Sequence, residues 1–241
     1  MRIEDLAPVI AATWPPAAAQ IAGAFTVPDG AGGGQRVSAA RLTDTAATDA
    51  PEGDIDAAMA ALEGIGQPPL FMVLGPQTGL DTRLAARGFA LRDTTHAMIA
   101  PSATLATAPP PVTCFATWPP LAIQAEIWAA GGIGPARLAV MARARGPKMS
   151  FFGRIGDRPA STAFVAIHDG VAMLHALEIT PAQRRKGLGL TMMRAAADWA
   201  TAEGAATFAI LVTGENRPAL GLYSSLGFQA VGQYHYRSLQ A

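Results

Sequence analysis

One cysteine, Cys114, stands in 241 residues, so the chain has no intramolecular disulfide framework and no cysteine-rich metal site. Charge is scarce and balanced, with Lys plus Arg at 18 and Asp plus Glu at 18, and no net field gathers nucleic acid or an anionic membrane surface. Anion binding must therefore be local. No apolar run reaches the roughly 18 residues that a membrane crossing needs. The opening Met1-Arg2-Ile3-Glu4-Asp5 puts charges where a signal peptide needs an apolar core. These absences predict a cytoplasmic protein with no metal, nucleic-acid or membrane partner.

Hydrophobic residues make up 50% of the chain, enough for an ample core. Residues 101–111, ending in Pro109-Pro110-Pro111, lack helical or alternating period and read as a linker. The predicted division is residues 1–105 and 106–241. Two echoes relate the halves. Ala12-Thr13-Trp14-Pro15-Pro16 returns as Ala116-Thr117-Trp118-Pro119-Pro120, and Gly88-Phe89 precedes His96 by the interval at which Gly227-Phe228 precedes His235. Two repeats in the same order predict a duplicated unit whose first copy is shortened.

In the second half, apolar spacing predicts two short helices with a bend over 127–145, then strands over 150–156, 161–167 and 171–179. A helix over 188–203 ends at Gly204, a buried strand follows at 208–212, and a Pro-started helix over 218–226 leads to a final strand over 229–238. In the first half, helices are expected at 54–62 and 80–87 and a strand at 71–74. The run from Gly30 to Val37 reads as a flexible hairpin connection leading into a strand-like stretch, not a helix.

The chemistry concentrates where an apolar strand passes through Thr180-Pro181 into Arg184-Arg185-Lys186-Gly187-Leu188-Gly189-Leu190 and then directly into a helix. A helix start offers unpaired N–H groups and a partial positive charge, and glycine lets a phosphate approach the backbone. Three cations rim this cradle, which suits a pyrophosphate. The Gly-x-x-x-x-Gly-Lys-Ser/Thr pattern of nucleotide triphosphate loops is absent, as are the third glycine and strand-end acid of a dinucleotide fold.

Arg184-Arg185-Lys186-Gly187-Leu188-Gly189 resembles the Arg/Gln-x-x-Gly-x-Gly/Ala motif of the GCN5-related N-acetyltransferase (GNAT) superfamily. Leu177-Glu178-Ile179-Thr180-Pro181 is similar to its strand-end Leu-x-Val-x-Pro. Asn216, Ala219, Leu220, Tyr223, Gly227 and Phe228 follow its downstream pattern. The resemblance implies an α/β (α+β) fold of mixed, mostly antiparallel sheets flanked by helices, in two lobes, the first without a cofactor loop. It implies an acetyl-CoA-dependent transfer of acetyl to a small-molecule amine by direct attack, in a monomer or homodimer. Backbone groups of Leu177 and Ile179 would hold the acetyl and pantetheine portion. The loop from Arg184 to Leu190 would take the pyrophosphate, and Asn216 the pantetheine arm.

Direct attack needs an acid for the leaving thiolate and a base for the amine. Tyr223, with an ordinary pKa of about 10, suits the acid, and it would lie near the sulfur. The alternative is an aromatic packed on the sheet, just as Asn216 could simply cap its helix. His175 and Glu178 are the candidate bases. Strand alternation puts His175 on the face of Leu177 and turns Glu178 away, unless the strand is irregular. Trp128, beside Gly131-Gly132, and Tyr234 and Tyr236 of the last strand are the expected acceptor-binding residues, with His235 aimed to the opposite face. Arg143, Arg145 and Lys148 read as a solvated helix end.

Overall fold

The periodic apolar segments of both halves assemble around one long sheet. The computed structural model describes residues 1–239. The chain opens with α1 (Ile3–Thr13), the hairpin β1 (Ala18–Ala22) and β2 (Phe25–Asp29), the short α2 (Gln35–Ser38) and β3 (Arg41–Leu42). Then come α3 (Glu52–Gly64), β4 (Leu70–Leu74), α4 (Thr78–Ala86), β5 (Ala90–Pro101) and α5 (Ser102–Leu105). The second half runs β6 (Cys114–Thr117), α6 (Ala122–Ala130), α7 (Pro135–Arg143), β7 (Lys148–Ile155), β8 (Arg158–His168) and β9 (Val171–Ile179). It closes with α8 (Leu188–Ala202), β10 (Thr207–Thr213), α9 (Arg217–Ser225) and β11 (Gln229–Ser238).

Three local expectations need correction. The Gly30–Val37 segment is not a plain hairpin connection, because Gln35–Ser38 closes a helical turn, with Ser38 Oγ donating to Gly34 O at 3.1 Å, before the expected strand-like stretch arrives as the short β3. The linker is shorter than its composition suggests. β5 runs through Pro101, and α5 packs on α8 with Ser102 and Leu105 buried. The Trp-Pro-Pro echo is not structural: Trp14 ends a helix, whereas Trp118 follows strand β6.

The other echo is structural. The eight-stranded sheet has the order β4-β11-β5-β10-β9-β8-β7-β6, and β1-β2-β3 form a smaller sheet bridged to β4 through Ala40 and Phe71. At the centre, the last strand of each half pairs antiparallel with the other, and each also pairs with the penultimate strand of the opposite half. Matching bonds sit on either side: Gly75 N to Gln233 O and Gly214 N to Thr94 O, Phe89 N to Leu84 O and Phe228 N to Tyr223 O. One sequence offset relates Gly75 to Gly214, Leu84 to Tyr223, Gly88 to Gly227 and His96 to His235. The halves therefore exchange their final strands about a local two-fold.

Side chains alternate across this sheet. Ala172 and Leu174 of β9 pack with Met192, Met193 and Ala196 of α8, while Val171 and Met173 face Leu6 and Ile10 of α1. On that second face Trp128 of α6 and Val140 and Met141 of α7 cover Phe164 and Ala166. Helices thus cover both faces. None of the described helices is long and apolar enough to cross a membrane.

Candidate active site at the parting of β9 and β10

The site begins with an irregularity in β9. Phe164 of β8 pairs with His175 and Thr162 with Glu178, so three steps along β9 match two along β8. This is a β-bulge. Ala176 sits in it at φ 51°, a left-handed conformation that costs a non-glycine residue on the order of 1 kcal/mol or more. The indole N–H of Trp128 donates to the Ala176 carbonyl at 2.7 Å and holds the bulge in place.

The bulge changes which residues share a face. Cross-strand partners point the same way, so Glu178 lies on the face of His175, while Leu177 and Ile179 pack toward α8. The regular-strand expectation placed Leu177 with His175 and turned Glu178 away; one inserted residue reverses it. Glu178 reaches the α6 side, where its carboxylate lies against Gly131 and accepts from Arg184 at 3.2 Å. Trp128 is likewise corrected. It is 0% exposed, so it supports the bulge and offers no surface to an acceptor.

Beyond the bulge the sheet opens. β9 and β10 pair in parallel only as far as Leu174 and Ile210, although they continue to Ile179 and Thr213. The backbone of residues 175–179 therefore faces a notch that β10 does not fill. At the notch's far end, Gly187 takes φ 82° and hands the chain to α8, whose first N–H groups have no helical acceptor. A side-chain carbon at Gly189 would come within 3.4 Å of Ile179 and 3.6 Å of Leu222, ordinary contact distances that place this glycine between β9 and α9. Arg184, Arg185 and Lys186 are exposed around it, with Arg184 Nε also donating to Ile179 O at 3.1 Å. Leu188 is buried in the core and Leu190 is half-buried, so these two reach the cradle through their backbone.

α9 borders the notch. Asn216 caps it, its Oδ1 accepting from Ala219 N at 3.2 Å. Tyr223 is 8% exposed and tilts against Phe228, and burial pushes its hydroxyl above the ordinary phenol value, so it stays protonated.

On the α1 side of the sheet lies a cleft of about 380 Å³ between the halves. His175, Ala176, Tyr234 and Tyr236 line it from the second half, and Trp14, Gly34 and Arg36 from the first. The two tyrosines share this face, while His235 turns to the other and binds Asp81. Arg36 Nε donates to the Tyr234 hydroxyl at 3.3 Å, and its Nη1 lies 3.3 Å from His175 Nδ1. Thr13 spends its proton on Val9 O, so its oxygen accepts from His175 Nε2 at 3.0 Å. Both imidazole nitrogens are engaged. Burial first, and then the Arg36 charge, push His175 well below its ordinary value. The expected base role of His175 therefore does not fit: its lone pair is covered by a cation, and the ring acts as a neutral spacer. Thr13, Trp14 and Arg36 were not legible as site residues, because only the fold brings them to β9.

Residues 115–228 match the family model described as Acetyltransferase (GNAT) family. An uncharacterized N-acetyltransferase, YobR, of Bacillus subtilis is 32% identical over 95 residues, 39% of this chain and 38% of that protein. Streptothricin acetyltransferase of Streptomyces lavendulae is 41% identical over 56 residues, 23% of this chain and 30% of that protein. The matches thus span about a third of these curated relatives. Among solved structures, a GCN5-related N-acetyltransferase from Kribbella flavida superposes with TM-score 0.74 at 17% identity, over 98% of this chain and 95% of its own. A tandem GNAT protein from the clavulanic acid biosynthesis pathway does so with TM-score 0.62 at 14% identity, over 97% and 86%. Residues 115–228 thus match the Acetyltransferase (GNAT) family model, and the whole chain shares its two-lobed fold with these two solved structures.

Proposed function

We propose that the protein is an acetyl-CoA-dependent N-acetyltransferase acting on a small-molecule amine, with the notch between β9 and β10 as its cofactor slot. The carrying observation is the parting of these strands beyond Leu174 and Ile210, with an anion cradle at its far end and the inter-lobe cleft across the bulge. The residues fit the cofactor. Backbone groups of 175–179, Leu177 and Ile179 among them, bond an extended pantetheine arm as a further strand would, and Asn216 flanks it. The N–H groups from Gly187 to Leu190 and the side chains of Arg184, Arg185 and Lys186 hold the pyrophosphate. Acetyl-CoA supplies an acetyl group activated as a thioester.

The chain's own residues then manage protons. As the N–C bond forms and the C–S bond breaks, one proton leaves nitrogen and one reaches sulfur. Glu178, turned by the bulge to the α6 side and standing outside the residues that line the cleft, accepts the first through intervening water. Tyr223, protonated in its buried setting, donates the second. His175 positions Arg36 and Thr13.

The first lobe, residues 1–105, serves as a wall of the cleft and does not bind cofactor. Where the cradle would stand, between β3 and α3, it carries Asp44 and Asp49 and opens its helix with Glu52 and Asp54. Asp49 and Glu52 already hold Arg83. A pyrophosphate there would meet carboxylates. Leu84 also stands where Tyr223 stands in the second lobe.

Calorimetric titration with acetyl-CoA, run beside Gly189→Glu, tests the reading. Micromolar binding that disappears in a normally folded variant is expected, because the carboxylate would occupy the phosphate position. Unchanged affinity in Gly189→Glu would overturn the cradle. Binding without thiol release across an amine library would make the protein an acyl-CoA-binding module without catalysis.

A further inference from the structure

We infer that the acceptor amine carries a carboxylate, and that Arg36 in the inter-lobe cleft is the group that binds it. This rests on the acetyltransferase reading above and names the substrate class of that site. Arg36 carries a charge without a counter-ion among the described residues. A guanidinium stays protonated at any physiological pH, and taking it out of water without an anion is costly. Arg83, Arg87, Arg184 and Arg237 each pair with a carboxylate in this protein. Arg36 forms no ion pair among the described residues, although it is withdrawn into the cleft against Tyr234 and His175.

The neighbours of Arg36 cannot supply the missing charge. The Tyr234 hydroxyl accepts from it, and Tyr236 beside it is pushed well above the ordinary phenol value, by burial first. His175 is fixed as the Nε2–H tautomer by Thr13, presents only a lone pair to Arg36, and stays uncharged. Nε and Nη1 of the guanidinium are thus engaged, Tyr236 stands beside the same group, and the N–H edge that remains matches a carboxylate. Arg137 adds a second cation on the α7 wall, close to Gly34. One acid, Asp93, lines the cleft, exposed and without an ion pair to Arg36 among the described residues. A cleft with two cations and one acid is complementary to an amino-carboxylate, whose amine Asp93 attracts, and repels a polycation. Its volume of about 380 Å³ suits a molecule the size of an amino acid.

The test compares carboxylated and decarboxylated partners. Wild-type protein is assayed for acetyl-CoA-dependent thiol release with amino acids and with the amines left by their decarboxylation. The carboxylated members are expected to be favoured in kcat/KM, and Arg36→Gln to lower kcat/KM for them by about a hundredfold. The decarboxylated set should change by no more than a few fold, with acetyl-CoA affinity retained and Arg36→Lys keeping part of the preference. Equal loss for both sets in Arg36→Gln, or wild-type preference for decarboxylated amines, would overturn the inference while leaving the acetyltransferase reading standing. A direct arm needs no turnover: calorimetry with N-acetylated amino acids should show binding that the N-acetylated amines lack. Absence of that difference overturns the inference even if no acetyl transfer is found, and absence of acetyl-CoA binding counts against the broader reading alone.

Discussion

Tyr223 and Glu178 divide the proton work, and their surroundings predict separable losses. Tyr223 touches the core through Phe228, so Tyr223→Phe keeps the ring packed and removes only the hydroxyl. Turnover should fall by about a hundredfold or more, in the range of a lost general acid, while acetyl-CoA affinity stays within a few fold. Glu178→Gln removes the proton acceptor and should lower turnover by about a hundredfold. Initial-rate kinetics across pH checks both, and unchanged turnover in either variant would remove that residue from its role. At this scale the sequence was partly legible. The spacing of Arg184, Gly187 and Gly189 marked a strand-to-helix turn, and the chain makes that turn at Gly187, because such a turn is carried by consecutive residues. The faces of His175 and Glu178 were misjudged because a single inserted residue at Ala176 reverses strand alternation, and nothing in Ala176-Leu177 signals a bulge. Arg36 was missed because its partners, His175 and Tyr234, lie in the other half of the chain.

At the scale of elements, α4 is fastened to β11 by a charged staple. Asp81 Oδ1 accepts from His235 Nε2 at 2.6 Å and from Arg237 Nε at 2.7 Å, and Oδ2 accepts from Arg237 at 2.9 Å. The Arg237 bond holds Asp81 below the ordinary carboxylate range against the opposing pull of partial burial, with His235 adding to it. A carboxyl whose folded pKa is depressed contributes stability that is complete above its unfolded value of about 3.9. That stability drains away as pH falls through the lower folded value. Asp81→Asn should therefore cost on the order of 2 kcal/mol at pH 7, since it strands Arg237, and progressively less as pH falls below about 4. Urea unfolding of both proteins across that range checks this, and a pH-independent difference would count against the staple. Most elements of the second half were legible from apolar period and from Pro and Gly punctuation, with β9 and β11 matching their predicted ends. α1 and the β1–β2 hairpin were not, since Ala-rich sequence carries little contrast between faces and four residues of β1 are exposed.

The whole molecule shows why two halves separated by a proline-rich segment need not be separable units. The Gly-Phe echo was legible because each copy ends a helix and starts a strand under the same backbone bonds, but sequence gave no hint that those strands change places. β11 lies between β4 and β5, both from the first half, and β10 is flanked on one side by β5. Cutting the chain at 105/106 would leave β11 with neither neighbour and β10 as an open edge. It would also expose Tyr234, Tyr236 and Phe208, all of them buried in the intact protein. An unpaired apolar edge seeks another strand. Residues 106–241 expressed alone should therefore be insoluble or self-associated and should lose the cleft, even though they contain the entire family motif. Supplying residues 1–105 as a separate chain in the same cell should restore a soluble complex that binds acetyl-CoA, because the missing strands need no covalent link to pair. Light scattering and acetyl-CoA titration of the two preparations distinguish the outcomes. A monomeric, cooperatively unfolding 106–241 fragment would mean that β11 can fold back onto β10 by itself, and that the exchange of strands is a consequence of duplication without being a condition for the fold.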